Sequence, residues 1–342
     1  MARFFRARLV DGPAGDPAVF VDFRFAGRAL LLDAGDLAPL SGRELGRVGD
    51  LLLSHAHMDH FADFDRLLRA CLHRPRRLRI VGPAGLIDRV GSRLASYSWN
   101  LLGPHSADFS LLVLEFAGDG LRRAASFAAR DAFRRSEAAL PVLPPGVVLD
   151  EEEFSVEAAE LDHGIPCLGF ALREKMRVNV WREGLAALGL SVGPWLNAAK
   201  RALRQGASDD TVLPVGGGAA VSLGMLRGRA LHPAPGQSLG YLTDMAGTAA
   251  NIGRAAALMR GVDQLFIEAM FLDIDAALAA ERRHLTARQA GRIAAMAGAG
   301  RIVPFHFSAR YHADFGALVR EAETAFAEAG PHGARAAPVP GS

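Results

Sequence analysis

The sequence predicts a layered α/β fold with helices covering a sheet, and three observations carry that prediction. Short apolar runs alternate with stretches of helical periodicity over much of the chain. The first thirty-odd residues read instead as antiparallel strands joined by turns. Finally, five separate apolar runs end on a histidine or an acid: His55, His163, Asp244, Glu268 and His306. In layered α/β folds, binding and catalytic residues gather where strands end and loops begin.

Taken in order, Arg3 to Val10 reads as a strand, and Asp11 to Pro17 as a turn-rich break. Ala18 to Phe25 alternates apolar and polar, and Gly27 turns it into Ala29 to Asp33. Ser41 followed by Glu44 is a capping-box signature for a short helix. The strand leading to His55 comes next, then a helix over 63–72 with Phe64, Leu67, Leu68 and Cys71 on one face. Leu78 to Val81 is a strand, Leu86 to Tyr97 a helix and Phe109 to Phe116 a strand. Residues 118–150 read as an extra surface insertion. It is either a solvated excursion or a basic helix over 121–140 carrying Arg122, Arg123, Arg130, Arg134 and Arg135. Phe154 to Leu161 and Cys167 to Leu172 are strands. A basic insertion at about 173–212 then interrupts the rhythm, which resumes at Ser238. Leu239 to Thr243, Gln264 to Glu268 and Arg301 to His306 are strands; 249–260, 287–297 and 314–329 are helices, the second with Thr286 as N-cap. Residues 1–330 are read as one domain, and 331–342 as a disordered tail rich in Gly, Pro and Ala.

Composition narrows the function classes. A chain of 342 residues, 50% hydrophobic and 22% charged, is ordinary for a globular protein. A net charge of +2 gives no global basic field, so affinity for nucleic acid must come from local patches. Cys71 and Cys167 are too few for a disulfide framework and point to a reducing cytoplasm. No apolar stretch reaches 18 residues, and the start lacks a signal-peptide core, so no membrane partner is expected.

Chemistry concentrates in Ser54-His55-Ala56-His57-Met58-Asp59-His60. A regular strand would send His55, His57 and Asp59 to one side and His60 to the other. A loop at the strand tip can curl all four around a small volume. Imidazole and carboxylate suit zinc or related first-row metals, and two ligand pairs so close suggest two ions. Those ions need further ligands from the other strand ends.

The motifs together resemble the metallo-β-lactamase superfamily and, within it, the ribonuclease Z family. The carrying stretches are Ser54 to His60, Val81-Gly82-Pro83-Ala84-Gly85, Asp162 to Phe170, Thr243-Asp244, Glu268-Ala269-Met270-Phe271, His284-Leu285-Thr286-Ala287 and His306-Phe307-Ser308-Ala309-Arg310-Tyr311. The resemblance implies an αββα sandwich, two mixed β-sheets between helical layers, with metals at one edge. It implies one zinc held by His55, His57 and His163, a second by Asp59, His60 and His306, and Asp244 bridging them; Mn2+ or another divalent metal is an alternative. It implies a homodimer acting on a tRNA precursor. The basic insertion would be the arm that grips the tRNA elbow, with Gly193, Pro194, Lys200, Arg201 and Arg204 as its substrate contacts.

The expected reaction is endonucleolytic removal of a pre-tRNA 3′ trailer by a hydroxide bridging two zinc ions. Asp59 is the candidate base, His284 oriented by Glu268 the candidate acid, and Arg310 a phosphate contact. Two alternatives stand beside it. One is a hydrolase of the same fold acting on a small phosphodiester, ester or lactone; the other is a non-catalytic RNA-binding protein.

Overall fold

The computed structural model describes residues 4–24 and 27–329; the tail expected at 331–342 lies outside them. Among the described residues two compact units emerge, the smaller of residues 150–155 and 173–237 and the larger of the rest.

The larger unit contains two mixed sheets. The first has eight strands arranged in chain order: Phe5–Leu9, Val19–Phe23, Arg28–Leu32, Val48–Leu52, Arg77–Pro83, Ser110–Ala117, Gly120–Ala128 and Arg135–Glu137. The middle four run parallel and the flanking pairs antiparallel. The second sheet has six strands in the order Ile302–Phe305, Gln264–Glu268, Ser238–Leu242, Pro166–Glu174, Phe154–Asp162 and Val147–Asp150.

Each sheet carries its own helices. Phe64–Cys71 buries Phe64, Leu67, Leu68 and Cys71, the predicted face, and Leu86–Ala95 buries Leu86, Ile87, Val90 and Leu94 in the same core as Leu51, Ile80 and Val113. On the second sheet, Ala287–Ala297 and Gly316–Ala329 share a core with Leu242, Leu265 and Ile267. These two helices approach closely: a Cβ on Gly291 would sit 2.2 Å from the carbonyl oxygen of Ala322. Tyr241 ties the sheets together, its hydroxyl donating to Asp33 at 2.7 Å. The expected caps are present, Ser41 with Glu44 and Thr286 with Gln289. Among the described residues, no helix is long and apolar enough to cross a membrane.

The 118–150 segment corrects the sequence reading. Gly120–Ala128 is a strand, paired antiparallel with Ser110–Ala117 from Ala117↔Gly120 to Ser110↔Ala128. The Ala and Arg content favours a helix locally, but the turn at Gly118 (φ +65°) folds the chain back onto an open sheet edge. Buried Glu115 then meets Arg123 at 3.3 Å across the strands. Arg122 and Arg135 pair with Asp119 and Asp88. The arginines therefore serve the sheet, and no basic helix projects from it.

The smaller unit has its own core of Val178, Leu185, Leu196, Leu203, Leu223, Leu226 and Leu231. Met176–Val180 pairs antiparallel with Leu231–Pro235, and Val212–Gly216 with Ala219–Ser222. The hairpin turns on Gly216, Gly217 and Gly218, all with positive φ, which glycine adopts freely. The unit runs to Gln237 rather than 212, because Val221, Leu223, Leu226 and Leu231 complete the core that Leu196 and Leu203 begin.

Candidate metal centre

Five strand ends of the larger unit converge on one point. Val48–Leu52 runs into buried Leu53, Ser54 and His55; the chain then makes one helical turn, Met58–Phe61, which presents Asp59 and His60. His163 follows Phe154–Asp162, Asp244 follows Ser238–Leu242, Glu268 closes Gln264–Glu268, and His306 follows Ile302–Phe305. His306 holds φ +60°, a left-handed conformation that costs energy outside glycine and turns its ring back toward the centre.

Asp244 is the hub. Its Oδ2 lies 3.6 Å from His55 Nε2, 3.5 Å from His60 Nε2 and 3.4 Å from His163 Nε2. Its Oδ1 lies 2.8 Å from His306 Nδ1. Asp59 Oδ2 sits 3.4 Å from His60 Nε2 and 3.3 Å from His306 Nε2. His55, His57, His163 and Asp244 each offer a ligand atom within 4.8 Å of the others, and so do Asp59, His60 and His306. Asp244, Glu268, His284 and His306 form a third such group. There, however, Glu268 already accepts from Met245 N at 2.8 Å and faces His284 Nδ1 at 2.9 Å.

The ring nitrogens turned away from the centre are fixed. His60 Nδ1 meets Asp33 at 2.8 Å, His163 Nδ1 meets the Arg283 carbonyl at 2.8 Å, and His55 Nδ1 meets Ser54 Oγ at 3.0 Å. The inward nitrogens are not: His55 Nε2, His60 Nε2 and His306 Nδ1 are buried and face the Asp244 carboxylate without an aligned hydrogen bond. Orphaned buried nitrogens are costly and rare. Three of them facing one carboxylate, with an imidazole and carboxylate donor set, fit a divalent metal ion.

Protonation follows the geometry. Burial and the neighbouring imidazole of His60 push His55 down to about 2, so it stays neutral and ready to bind. For His306 burial acts downward too, but Asp244 and Asp59 outweigh it and raise the group to about 10. Burial pushes Asp59 up, and contacts with His306 and His60 more than reverse this, holding it well below the usual carboxylate range. His284 is lifted above its ordinary value, because Glu268 overrides the effect of burial.

The centre opens into a cavity of about 490 Å³. His57, Asp59, His163, Asp244, His284 and His306 line it, with Met270, Phe271 and Leu278 as an apolar wall and Arg282 and Arg310 as its cations. Arg310 is exposed on the turn Ala309–Tyr311 and forms no ion pair among the described residues. The turn is anchored by Tyr311, whose hydroxyl accepts from Leu272 N at 3.1 Å and bonds Asp275.

All ten residues expected at the larger unit's site thus come together. Sequence reasoning missed Asp33, which bonds Ser54, His60 and Tyr241, and also Arg282 and Phe271. Asp33 carried the same signal as the ligands, an acid closing an apolar run. The arm residues belong to the smaller unit. Pro194 begins the helix Trp195–Arg204, and Trp195 Nε1 donates to Ser191 O at 3.1 Å, so Gly193-Pro194 shapes a helix start. Lys200 is half-buried. Arg201 pairs with Glu152 at 2.9 Å. Arg204, 16% exposed, donates to Met176 O at 3.0 Å.

Residues 211–307, which contain Asp244, Glu268, His284 and His306, match a family model described as a beta-lactamase superfamily domain. Ribonuclease Z of Deinococcus radiodurans is 35% identical over 94% of this chain and 95% of its own length. Ribonuclease Z of Nocardia farcinica is 31% identical over 84% of this chain and 80% of its own. In fold, the chain is similar to the short form of human tRNase Z at a TM-score of 0.51 and 19% identity, covering 90% of this chain and 91% of that one. It is also similar to the metallo-beta-lactamase fold protein YhfI of Bacillus subtilis at a TM-score of 0.52 and 16% identity, covering 94% and 93%. The chain belongs to the ribonuclease Z family, among the metal-dependent hydrolases of the β-lactamase superfamily.

Proposed function

We propose that this protein is a zinc-dependent endoribonuclease that removes the 3′ trailer of pre-tRNA, working in the cytoplasm as a homodimer. One observation carries the reading: the ligand group His55, His57, His163 and Asp244 adjoins a second, Asp59, His60 and His306, whose His60 and His306 lie 3.5 and 2.8 Å from that same Asp244, beside a cavity that also holds His284, backed by Glu268, and two arginines. His55, His57 and His163 would hold one ion and Asp59, His60 and His306 the other, with Asp244 between them. Bound there, zinc supplies Lewis acidity toward a phosphoryl oxygen and lowers the pKa of a water nucleophile.

The chain's own groups do the rest. Asp59 is ionised at working pH, and its carboxylate, lining the cavity beside His60 and His306, takes up the nucleophile's proton. His284 is oriented by Glu268 and gives a proton to the leaving 3′ oxygen. Arg310 places its guanidinium on a non-bridging phosphate oxygen. The apolar wall of Met270, Phe271 and Leu278 suits the face of a nucleobase. The two free, buried thiols agree with a reducing compartment.

The test is metal analysis of the purified protein, then incubation with a 3′-extended pre-tRNA and mapping of the cut. About two zinc ions per chain and a cut at the 3′ side of the acceptor stem are expected. Rapid hydrolysis of a small aryl phosphodiester with the pre-tRNA left intact would favour the small-substrate alternative. Sedimentation measures the dimer.

A further inference from the structure

The unit expected to grip RNA is almost electrically neutral. Residues 150–155 and 173–237 carry nine Lys and Arg against eight Asp and Glu. The acid run Asp150 to Glu153 largely cancels the arm, and Arg201 and Lys175 are paired with Glu152 and Asp150. The uncompensated charge lies elsewhere. Residues 66–79 contain six arginines and no acid.

That segment runs from the helix Phe64–Cys71 into the strand Arg77–Pro83. The strand is parallel to Val48–Leu52, whose far end delivers the histidine loop. The arginines therefore sit at the opposite end of the sheet from the metal centre, about 15–20 Å along five residues. Neighbouring elements complete a corner. A Cβ on Gly46 would come within 2.7 Å of the Arg74 guanidinium. Arg76 bonds the carbonyls of Gly46 and Val48. Arg43 belongs to the helix Gly42–Leu45, which packs on Phe64–Cys71.

The acids nearby are already taken. Arg28 and Arg79 share buried Asp50, Arg47 holds Asp22, and Arg66 holds Asp63. Arg43, Arg69, Arg74 and Arg77 are exposed and form no ion pair among the described residues. Like charges so placed repel one another in the free protein, and a polyanion relieves that repulsion. Guanidinium forks match phosphate oxygens bidentately.

We propose that this corner, made by Arg43, Arg69, Arg74 and Arg77 and braced by Arg76, holds the phosphate backbone of the RNA substrate away from the cut. The inference rests on the RNA-cleaving reading above and adds a contact surface on the body of the enzyme. Such contacts release counterions, so binding weakens steeply with salt.

The experiment measures pre-tRNA binding to the zinc-loaded protein by fluorescence anisotropy over a series of KCl concentrations. The variant Arg69→Gln/Arg74→Gln/Arg77→Gln is compared with its Lys counterpart. The Gln variant is expected to bind roughly tenfold or more weakly at low salt, with the log–log slope reduced by roughly two to three. The Lys variant keeps the slope. Thermal midpoint and zinc content control for folding; should the triple variant misfold, Arg69→Gln/Arg77→Gln alters only exposed, unbonded side chains. An unchanged slope in a folded Gln variant overturns the proposal. So does tighter, corner-dependent binding to phosphatidylserine vesicles than to RNA. Wild-type protein that binds RNA through the corner but does not cut pre-tRNA overturns the trailer-cleaving reading and leaves the corner standing.

Discussion

At the residue scale, the metal centre depends on a side chain outside its ligand set. Asp33 is fully buried and held at φ +59°, and it accepts from Ser54 N at 2.6 Å, Ser54 Oγ at 2.7 Å and Tyr241 at 2.7 Å while facing His60 Nδ1 at 2.8 Å. It therefore sets which nitrogen of His60 faces inward. Asp33→Ala should weaken zinc binding about 10–100-fold, measured by competition with a chromophoric chelator. It should also destabilise the fold by several kcal/mol, about 1–3 for each buried donor left unpaired. Unchanged zinc affinity would show that packing alone orients His60. Asp59→Ala, by contrast, should abolish turnover at saturating zinc with the fold retained, since that side chain is 42% exposed. Substantial residual cleavage at saturating zinc would remove Asp59 from the role of base. His284 makes a pH prediction. Glu268 raises its proton affinity, so an acid role gives turnover that is present below its pKa and lost as pH rises through it. Glu268→Gln removes the raising charge and should move the alkaline limb of the kcat profile to lower pH. An unmoved limb would assign it to another group.

At the scale of elements, the legible part of the sequence was the part whose local pattern and tertiary role agree. The helix over Phe64–Cys71, the caps at Ser41 and Thr286 and the strand ends behind His55, His163, Asp244, Glu268 and His306 were readable because local pattern and burial agree there. The strand Gly120–Ala128 was not, because its conformation is decided by hydrogen bonds to Ser110–Ala117 and not by its own residues. The basic insertion was seen, but its end was misplaced at 212 because its core closes through residues 213–231. This changes how the arm is best removed. Cutting out 176–205 would strip Leu185, Leu196 and Leu203 from a shared core and expose Leu223, Leu226 and Leu231, each contributing roughly 1.5–3 kcal/mol when buried. Met176 lies opposite Pro235 in an antiparallel pair, so replacing the whole of 177–234 with a short Gly-Ser link should leave the rest folded. That variant should still hydrolyse a small aryl phosphodiester and lose pre-tRNA cleavage by at least tenfold. Equal losses on both substrates would reject the unit as a recognition element.

At the scale of the molecule, metal, protons and stability are one coupled system. Without metal, His306 carries a proton up to about pH 10 because Asp244 and Asp59 outweigh its burial, and His60 is raised for the same reason. In the unfolded chain both return to about 6.5. Their contribution to stability is therefore fully present below pH 6.5 or so and is lost as pH rises through the folded values. Metal binding needs those nitrogens deprotonated, so apparent affinity strengthens over the same interval. The chelated protein should lose thermal midpoint between neutral pH and about pH 10. The zinc-loaded protein should lose less, and its midpoint should rise with added zinc as mass action requires. Calorimetry in buffers of different ionisation enthalpy should also register proton release on zinc binding at neutral pH. Parallel pH dependences with and without zinc, together with no proton release, would break the link between His60, His306 and the metal. The buried nitrogens at the centre would then need another partner.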